Sequence, residues 1–364
     1  PYGRIKQLIE DKEVKDIYST YYDITYSYQR GNYNYYKLFL ERCFYLLKDS
    51  GYFSMIFPTA FLGEQDSQPL RKLFFENVQI LRILQFPEKT RVFSDVTQDV
   101  IVLVYKKSKL DTDYSFEIRT NITGEELQKL NELDFLKLKV SEIKEVTGVD
   151  YRIPIFAKPK EEWAILRKIS KIPPFKGDEK TLSIGEIGEG HLHETFDKDY
   201  LSEKHTGDLV VKGIHLDQYF VNLDPEGPQP RWVKKEDFLE KKPEAKENIK
   251  YERIIGRNTL NRAIRPRLKF TLLQPGLVIT NAIKYIIPKD EKLDKYYIIG
   301  LLNSSILNWR FELFSSQNNI RNYEIEELPI YRADGKLQQV IANRVKKIIE
   351  LKNIRYQWLK NWNH

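Results

Sequence analysis

The sequence predicts an α/β layer, then a mainly β domain of α+β character, then one closing helix. Three observations carry this. Helical and strand-like stretches alternate over the first hundred residues. Short β-runs separated by Gly and Pro fill the region from Leu182 to about Tyr331. The last thirty residues keep one apolar stripe at helical spacing.

In the first region, YYKLFLERCFYLLK (Tyr35 to Lys48) sets Leu38, Phe39, Cys43 and Leu46 or Leu47 at helical spacing, and Gly51 suits a left-handed helix end. YFSMIFP (Tyr52 to Pro58) follows at strand length. A second helix is expected over Ser67 to Asn77, and ILRILQF (Ile80 to Phe86) is a second strand. DVIVLVYKK (Asp99 to Lys107) is a third strand, apolar on both faces. Only a dozen residues without helical pattern join strands two and three, which predicts an antiparallel, hairpin-like edge. Residues 1–110 thus form the α/β part. The charged, poorly periodic stretch 111–150 reads as a connection.

A second domain is expected over 151–332. EEWAILRKIS is a short amphipathic helix that the prolines of IPPF break. SIGEI, DLVVKG, RIIG, FTLLQ and LVITNAIKYIIP read as strands, and YYIIGLLNSSILNWRFELF reads as a helical insertion. Residues 333–364 form the closing helix, with Val340 or Ile341, Val345, Ile348 and Leu351 or Lys352 on one stripe. No internal repeat is present.

Composition narrows the function. Lys and Arg number 59 against 52 Asp and Glu, a net charge of +7, and aromatics reach 13% with 23 Tyr. A basic, tyrosine-rich chain has what is needed to contact phosphates and stack on bases. Cys43 is the only cysteine, which excludes an internal disulfide and a cysteine-built zinc site. No apolar run approaches the roughly 20 residues that span a bilayer. No basic segment leads into an apolar one in the manner of a secretion signal. No membrane association and a cytoplasmic setting are the expectation.

The chain opens on PYGRIKQ. An enzyme that modifies a base removes it from the stack and holds it against aromatic faces, a task that suits Tyr2 beside the rigid Pro1. The ordered set that follows resembles a known family. PYGRI resembles the second half of the Asn-Pro-Pro-Tyr motif of adenine-specific DNA methyltransferases of restriction–modification systems, in the TaqI-like branch. GNYNYYKLFLERCFYLLKDSGYFSMIFPTAFL and RVFSDVTQDVIVLVYKK resemble the blocks that follow it. LVVKGIHL, the stretch from IIGRN to LVITNAIKYIIP, and IIGLLNSSILNWRFE ending in EELPIYR resemble a TaqI-like C-terminal specificity domain.

The resemblance implies that residues 1–110 are the C-terminal portion of a methyltransferase catalytic domain, with a partial methyltransferase fold, and that 151–332 recognise the DNA target. Pro1 and Tyr2 are then the remnant of the catalytic motif. Tyr2 and Phe93 stack on the flipped adenine, with Phe86 as the rival to Phe93. It further implies that the chain begins inside the motif, behind an absent N-terminal half that carries the S-adenosylmethionine site. No bound cofactor and no catalysis are therefore expected of the chain by itself. GEIGEG follows a short β-run but opens no helix, so it is not read as a nucleotide loop.

The densest basic stretch, YERIIGRNTLNRAIRPRLKF, carries Arg253, Arg257, Arg262, Arg265, Arg267 and Lys269, with Asn258 and Asn261 beside them. Arginine forks fit phosphates and the guanine edge, and Asn fits adenine. Arg231 in RWVKK and Arg321 in QNNIRNY are weaker candidates. Lys212, next to Gly213, suits a phosphate contact or a turn in the domain core. His191 and His193 form HLH, but no carboxylate pair accompanies them, so a solvated loop is expected rather than a metal site.

The reading is sequence-specific recognition of double-stranded DNA for an adenine-N6 methyltransferase, with a fused nuclease of the type IIG arrangement left open. Two rival readings stand beside it: a stand-alone DNA-binding module, and a protein-interaction subunit of a phage-defence assembly. Methylation of RNA or protein is a more distant third.

Overall fold

The computed structural model describes residues 27–362, except 29, 31–33, 93–95, 111–112, 206, 262–263 and 316–317. Pro1, Tyr2, Phe93 and Arg262 lie outside the described residues. The chain divides into two compact units, Pro1–Arg167 and Lys168–His364.

In the first unit, Asn34 caps helix α1 (Tyr35–Leu46), its side chain accepting from the Tyr36 N–H at 3.3 Å. The buried face is not the expected stripe. Tyr36, Lys37, Leu40 and Glu41 point inward, while Phe39 and Leu46 are exposed. Polar partners make this tolerable, since Lys37 pairs with Glu64 at 3.7 Å. Strand β1 (Tyr52–Pro58) leads to helix α2 (Gln68–Asn77), which carries Pro69 in its first turn where the missing N–H costs nothing. Arg71 of α2 is fully buried. Its Nη1 donates to the carbonyls of Phe61 and Glu64, both at 2.7 Å, and its Nε donates to the Asp150 carbonyl at 2.8 Å.

Strands β2 (Gln79–Phe86) and β3 (Val100–Lys106) pair antiparallel, as the short connection predicts. β3 is not an edge, however. It also pairs antiparallel with β1 along its whole length, from Tyr52↔Lys106 to Pro58↔Val100, and so lies inside the sheet. Its apolar residues on both faces fit that position. Phe86 is buried with Val100 and Ile122, which makes it a core residue rather than a base contact.

The stretch expected as a connection supplies two more strands. β4 (Ser115–Arg119) lies parallel to β2, and β5 (Leu136–Lys139) pairs with β4, giving the order β1-β3-β2-β4-β5. SFEIR and LKLK alternate strictly, burying Phe116, Ile118, Leu136 and Leu138 under a charged outer face. Helices α3 (Val140–Thr147) and α4 (Pro159–Ile169) follow, and 111–150 belongs wholly to the first unit.

The second unit is built on an antiparallel sheet of β6 (Gly185–Glu189), β7 (Arg253–Arg257), β8 (Phe270–Leu273) and β9 (Ile283–Pro288), in the order β8-β7-β9-β6. Adjacent residues of β7 face opposite ways. Ile254 packs with Phe270, Ile286 and Ile298, whereas Ile255 packs with Val211, Ile279 and Ile283. The region holds more helix than a mainly β reading predicts, including Lys235–Lys241 and Pro243–Asn248.

Helices α5 (Lys295–Leu302) and α6 (Ser305–Glu312) are capped by Asp294 and Ser304. Asn303 between them completes the edge strand β8, its Nδ2 donating to the Phe270 carbonyl and its Oδ1 accepting the Phe270 N–H, both at 2.8 Å.

Helix α7 (Gly335–Trp362) runs against α5, burying Gln338, Ala342 and Val345 with Ile341 and Ile349 partly covered. Of the expected stripe, Val345 is buried and the alternatives Ile341 and Lys352 are partly covered, whereas Val340, Leu351 and Ile348 face solvent. Gly300 fixes which side packs. A Cβ there would stand 3.0 Å from both Ile341 and Val345, so the two helices meet closely on that face. No helix of the described residues is long and apolar enough to cross a membrane.

Candidate nucleic-acid interface

One end of the four-stranded sheet gathers most of the predicted site. The pairings Arg257↔Ile283, Lys284↔Glu189 and Gly256↔Phe270 put the end of β7, the start of β9, the end of β6 and the start of β8 at that end. The loops leaving it are bound to one another through backbone. The Asn258 N–H donates to Ala282 O at 2.8 Å, Ile320 N–H to Asn258 O at 2.9 Å, Asn281 N–H to Leu192 O at 2.9 Å, and Thr280 N–H to Val211 O at 3.0 Å. Thr259 bridges Asn319. Segments near 192, 211, 258, 281 and 320 therefore form one platform.

Two buried ammonium groups underlie it. Lys284 is almost wholly enclosed, yet its Nζ reaches Glu189 and donates to Asn322 Oδ1 at 2.6 Å. Burial pulls its pKa below the usual lysine value, and the Glu189 carboxylate works in the other direction. Lys212 Nζ lies 2.7 Å from Glu194. His215 locks the turn after Lys212, with Nδ1 accepting the Lys212 N–H at 3.2 Å and Nε2 donating to Pro228 O at 2.9 Å. Of the two readings for Lys212, the geometry is that of the core turn.

The candidate arginines separate into two groups. Arg257 emerges from the end of β7, its Nε on Thr259 O at 3.1 Å, and makes no ion pair among the described residues. Arg265 is exposed, with its Nε 2.8 Å from Glu312, and Arg321 is exposed at the start of the helix Asn322–Glu326.

Arg253 and Arg267 are enclosed instead. Arg253 stands at the opposite end of β7, 1% exposed, with Nη2 on Leu277 O at 2.5 Å, and burial draws its pKa down to about 10. Arg267, 2% exposed, donates from Nη1 to Leu260 O at 3.0 Å and from Nη2 to Asn318 O at 3.3 Å, with its guanidinium over the Phe311 ring. Both use their forks on the protein's own carbonyls, so the expected DNA contact is corrected to a structural role.

Asn258 is buried, and its Nδ2 donates to Asn281 O at 3.0 Å. Its Oδ1 is enclosed as well, so the amide edge that a two-point contact to adenine needs is not presented to a base. Asn261 is exposed on the same loop. Lys269 stands just before the start of β8, its carbonyl accepting the Arg257 N–H at 3.2 Å, and its Nζ pairs with Asp217 at 2.9 Å; Arg231 pairs with Glu203 at 3.2 Å.

His191 contacts Asn248 at 2.9 Å, and among the described residues no group of His, Cys, Asp and Glu is placed to hold a metal. GEIGEG is the strand β6 and its end, and its glycines serve close packing. A Cβ on Gly188 would lie 2.3 Å from the Tyr285 ring, and one on Gly190 would lie 2.2 Å from Thr280 O.

Sequence reading did not single out Glu189, Asn281 and Lys284, and held Asn322 only within the QNNIRNY stretch; together these residues fasten the platform. Their signal was available only as polar residues at the ends of apolar runs.

Residues 1–93 match the family described as Eco57I restriction-modification methylase, and residues 208–330 match the TaqI-like C-terminal specificity domain. The chain thus has the resemblance its motifs suggested: a restriction–modification methylase segment followed by a specificity segment. No curated protein matches it.

Among solved structures, it is similar to a nuclease-deletion mutant of the Type ISP restriction-modification enzyme LlaGI in complex with a DNA substrate mimic. Identity there is 12% and the TM-score 0.50, over 94% of this chain and 33% of that one. It is also similar to the Type IIL enzyme MmeI in complex with DNA, at 12% identity and TM-score 0.48, over 88% and 44%. A third is the type IIG restriction endonuclease BpuSI, at 14% identity and TM-score 0.36, over 95% and 46%. The chain spans less than half the length of each, and the likeness to LlaGI is one of fold.

Proposed function

We propose that this chain reads a specific sequence in double-stranded DNA on behalf of a restriction–modification adenine-N6 methyltransferase of the type IIG kind. The observation that carries the reading is the coincidence of the specificity-domain match, 208–330, with the platform segments near 211, 258, 281 and 320. Backbone bonds between loops fix the spacing of the side chains they present, which base readout requires. The DNA-bound state of LlaGI, a protein of similar fold, supports the same reading.

In this account Arg257, Arg265, Arg321 and Asn261 meet the DNA. Arginine forks engage phosphate oxygens or guanine edges in the major groove, and phosphate contacts set the register. Lys212 and Lys284, paired with Glu194 and Glu189, fasten the platform from beneath without touching the duplex. The methylase match supports a role in modification. The intact enzyme would take its methyl group from S-adenosylmethionine at residues outside those described, with Tyr2 and Phe93 stacking on the flipped adenine. A nuclease in the same polypeptide and a role in phage defence belong to the same proposal.

The test is selection from a pool of random duplexes across a salt series. Steep weakening with salt together with one enriched short sequence is the expected result. Absence of binding even at low salt overturns the reading.

A further inference from the structure

The loop that leaves β6 at the platform end carries an apolar ring that stands largely in solvent. Leu192 anchors the loop: it is fully buried, bridges Thr280 and accepts the Asn281 N–H. The next residues close on themselves. The Asp197 N–H donates to His193 O at 2.8 Å, and Asp197 Oδ2 accepts the His193 N–H at 2.8 Å. Asp197 is itself buried, and its Oδ1 lies 3.7 Å from Lys242 Nζ. From this fastened turn Phe196 projects at 80% exposure, with the His193 ring 4.4 Å away and tilted 39°.

A phenylalanine in solvent forgoes one of the larger hydrophobic gains a side chain can make. A flexible loop would let the ring fold back on the surface. This loop is held at both ends, and its two acidic side chains are neutralised by Lys212 and Lys242. The tip therefore presents an apolar face without a repelling charge, on the same platform as Arg257.

We infer that Phe196, backed by His193, is a wedge that enters the DNA at a base step beside the recognised sequence and unstacks it. The chemistry it recognises is the flat face of a nucleobase, which an aromatic ring covers when a step is opened. The inference rests on the DNA-recognition reading and adds a deformation of the duplex to it.

The test uses the full chain and the duplex enriched by selection, with 2-aminopurine placed in turn at each position of the site and its flanks. Binding of the unaltered protein should raise the fluorescence at one step. Phe196→Ala should abolish that rise and weaken binding about 10-fold, the scale of one lost base–aromatic stack. Its melting temperature and the salt dependence of its binding should stay unchanged. Phe196→Trp should restore the signal. If the unaltered protein binds with no rise at any step, or if Phe196→Ala keeps the rise, the wedge is wrong while the DNA-recognition reading stands. If the unaltered protein binds no duplex, both fall together.

Discussion

Lys284 Nζ donates to Asn322 Oδ1 at 2.6 Å, joining strand β9 to the helix that Arg321 begins. This bond and the Glu189 contact on the same ammonium turn separate loops into one surface.

Replacing Lys284 by Met removes a donor from two partners inside the second unit. Leaving buried polar groups unmatched costs about 1–3 kcal/mol, which lowers Tm by roughly 2–10 °C at this domain size. A thermal melt checks the stability. DNA affinity should fall beyond that, because the segment bearing Arg321 loses its tie to β9.

Arg253 and Arg257, at opposite ends of β7, should behave as different residues. Arg253→Met should destabilise the fold, because the Leu277 carbonyl loses its donor, yet leave the salt dependence of DNA binding intact in the folded protein. Arg257→Gln should leave the melt within about 0.5 kcal/mol and reduce the salt slope by about 1. Paired melts and binding titrations separate the two.

His215 ties the Lys212 turn to pH. Burial depresses its pKa, the Pro228 carbonyl raises it, Lys212 lowers it and Glu194 raises it, with a net fall below the ordinary 6.5. Between the depressed and ordinary values the unfolded chain holds a proton that the folded chain does not, so acid favours unfolding. The stability His215 contributes is present above pH 6.5 and is lost progressively as pH falls below it. Thermal melts of the unaltered protein should drop between pH 7.5 and 5.5 more steeply than those of His215→Gln.

Gly300→Val should be far more damaging than any change on the solvent side of α7. The added methyls meet Ile341 and Val345, and overpacking of this kind costs about 1–3 kcal/mol. Leu351→Ala, on the exposed side, should stay within about 0.5 kcal/mol. Denaturant titrations of both variants check the orientation of the helix.

Much of the fold was legible because periodicity and length agree in it. β1, β2 and β3 fall where their apolar runs lie, and α7 has its apolar repeat. β4 and β5 were missed because half of each strand is charged: in SFEIR and LKLK the alternation is short and the charges dominate the composition. The apolar repeat left Val340 or Ile341 and Leu351 or Lys352 open on α7; Gly300, a neighbour distant in sequence, settles the choice by packing closely on Ile341 and Val345. In the site, residue type alone did not tell Arg253 and Arg267, which hold carbonyls inside the fold, from Arg257 and Arg265. That distinction depends on the strand end at which each residue stands.

The account's central claim is that the duplex lies on the loops at the β7–β9 end of the sheet. The most direct test measures binding of the enriched duplex from low to moderate salt, for the unaltered protein and for a variant with Arg257, Arg265 and Arg321 all changed to Gln. The account predicts that the slope of log affinity against log salt falls by about 3 units, one for each lost phosphate contact. Phosphate contacts carry no sequence information, so the loss should be similar on enriched and random DNA. An unchanged slope would place the duplex on another surface and contradict the account.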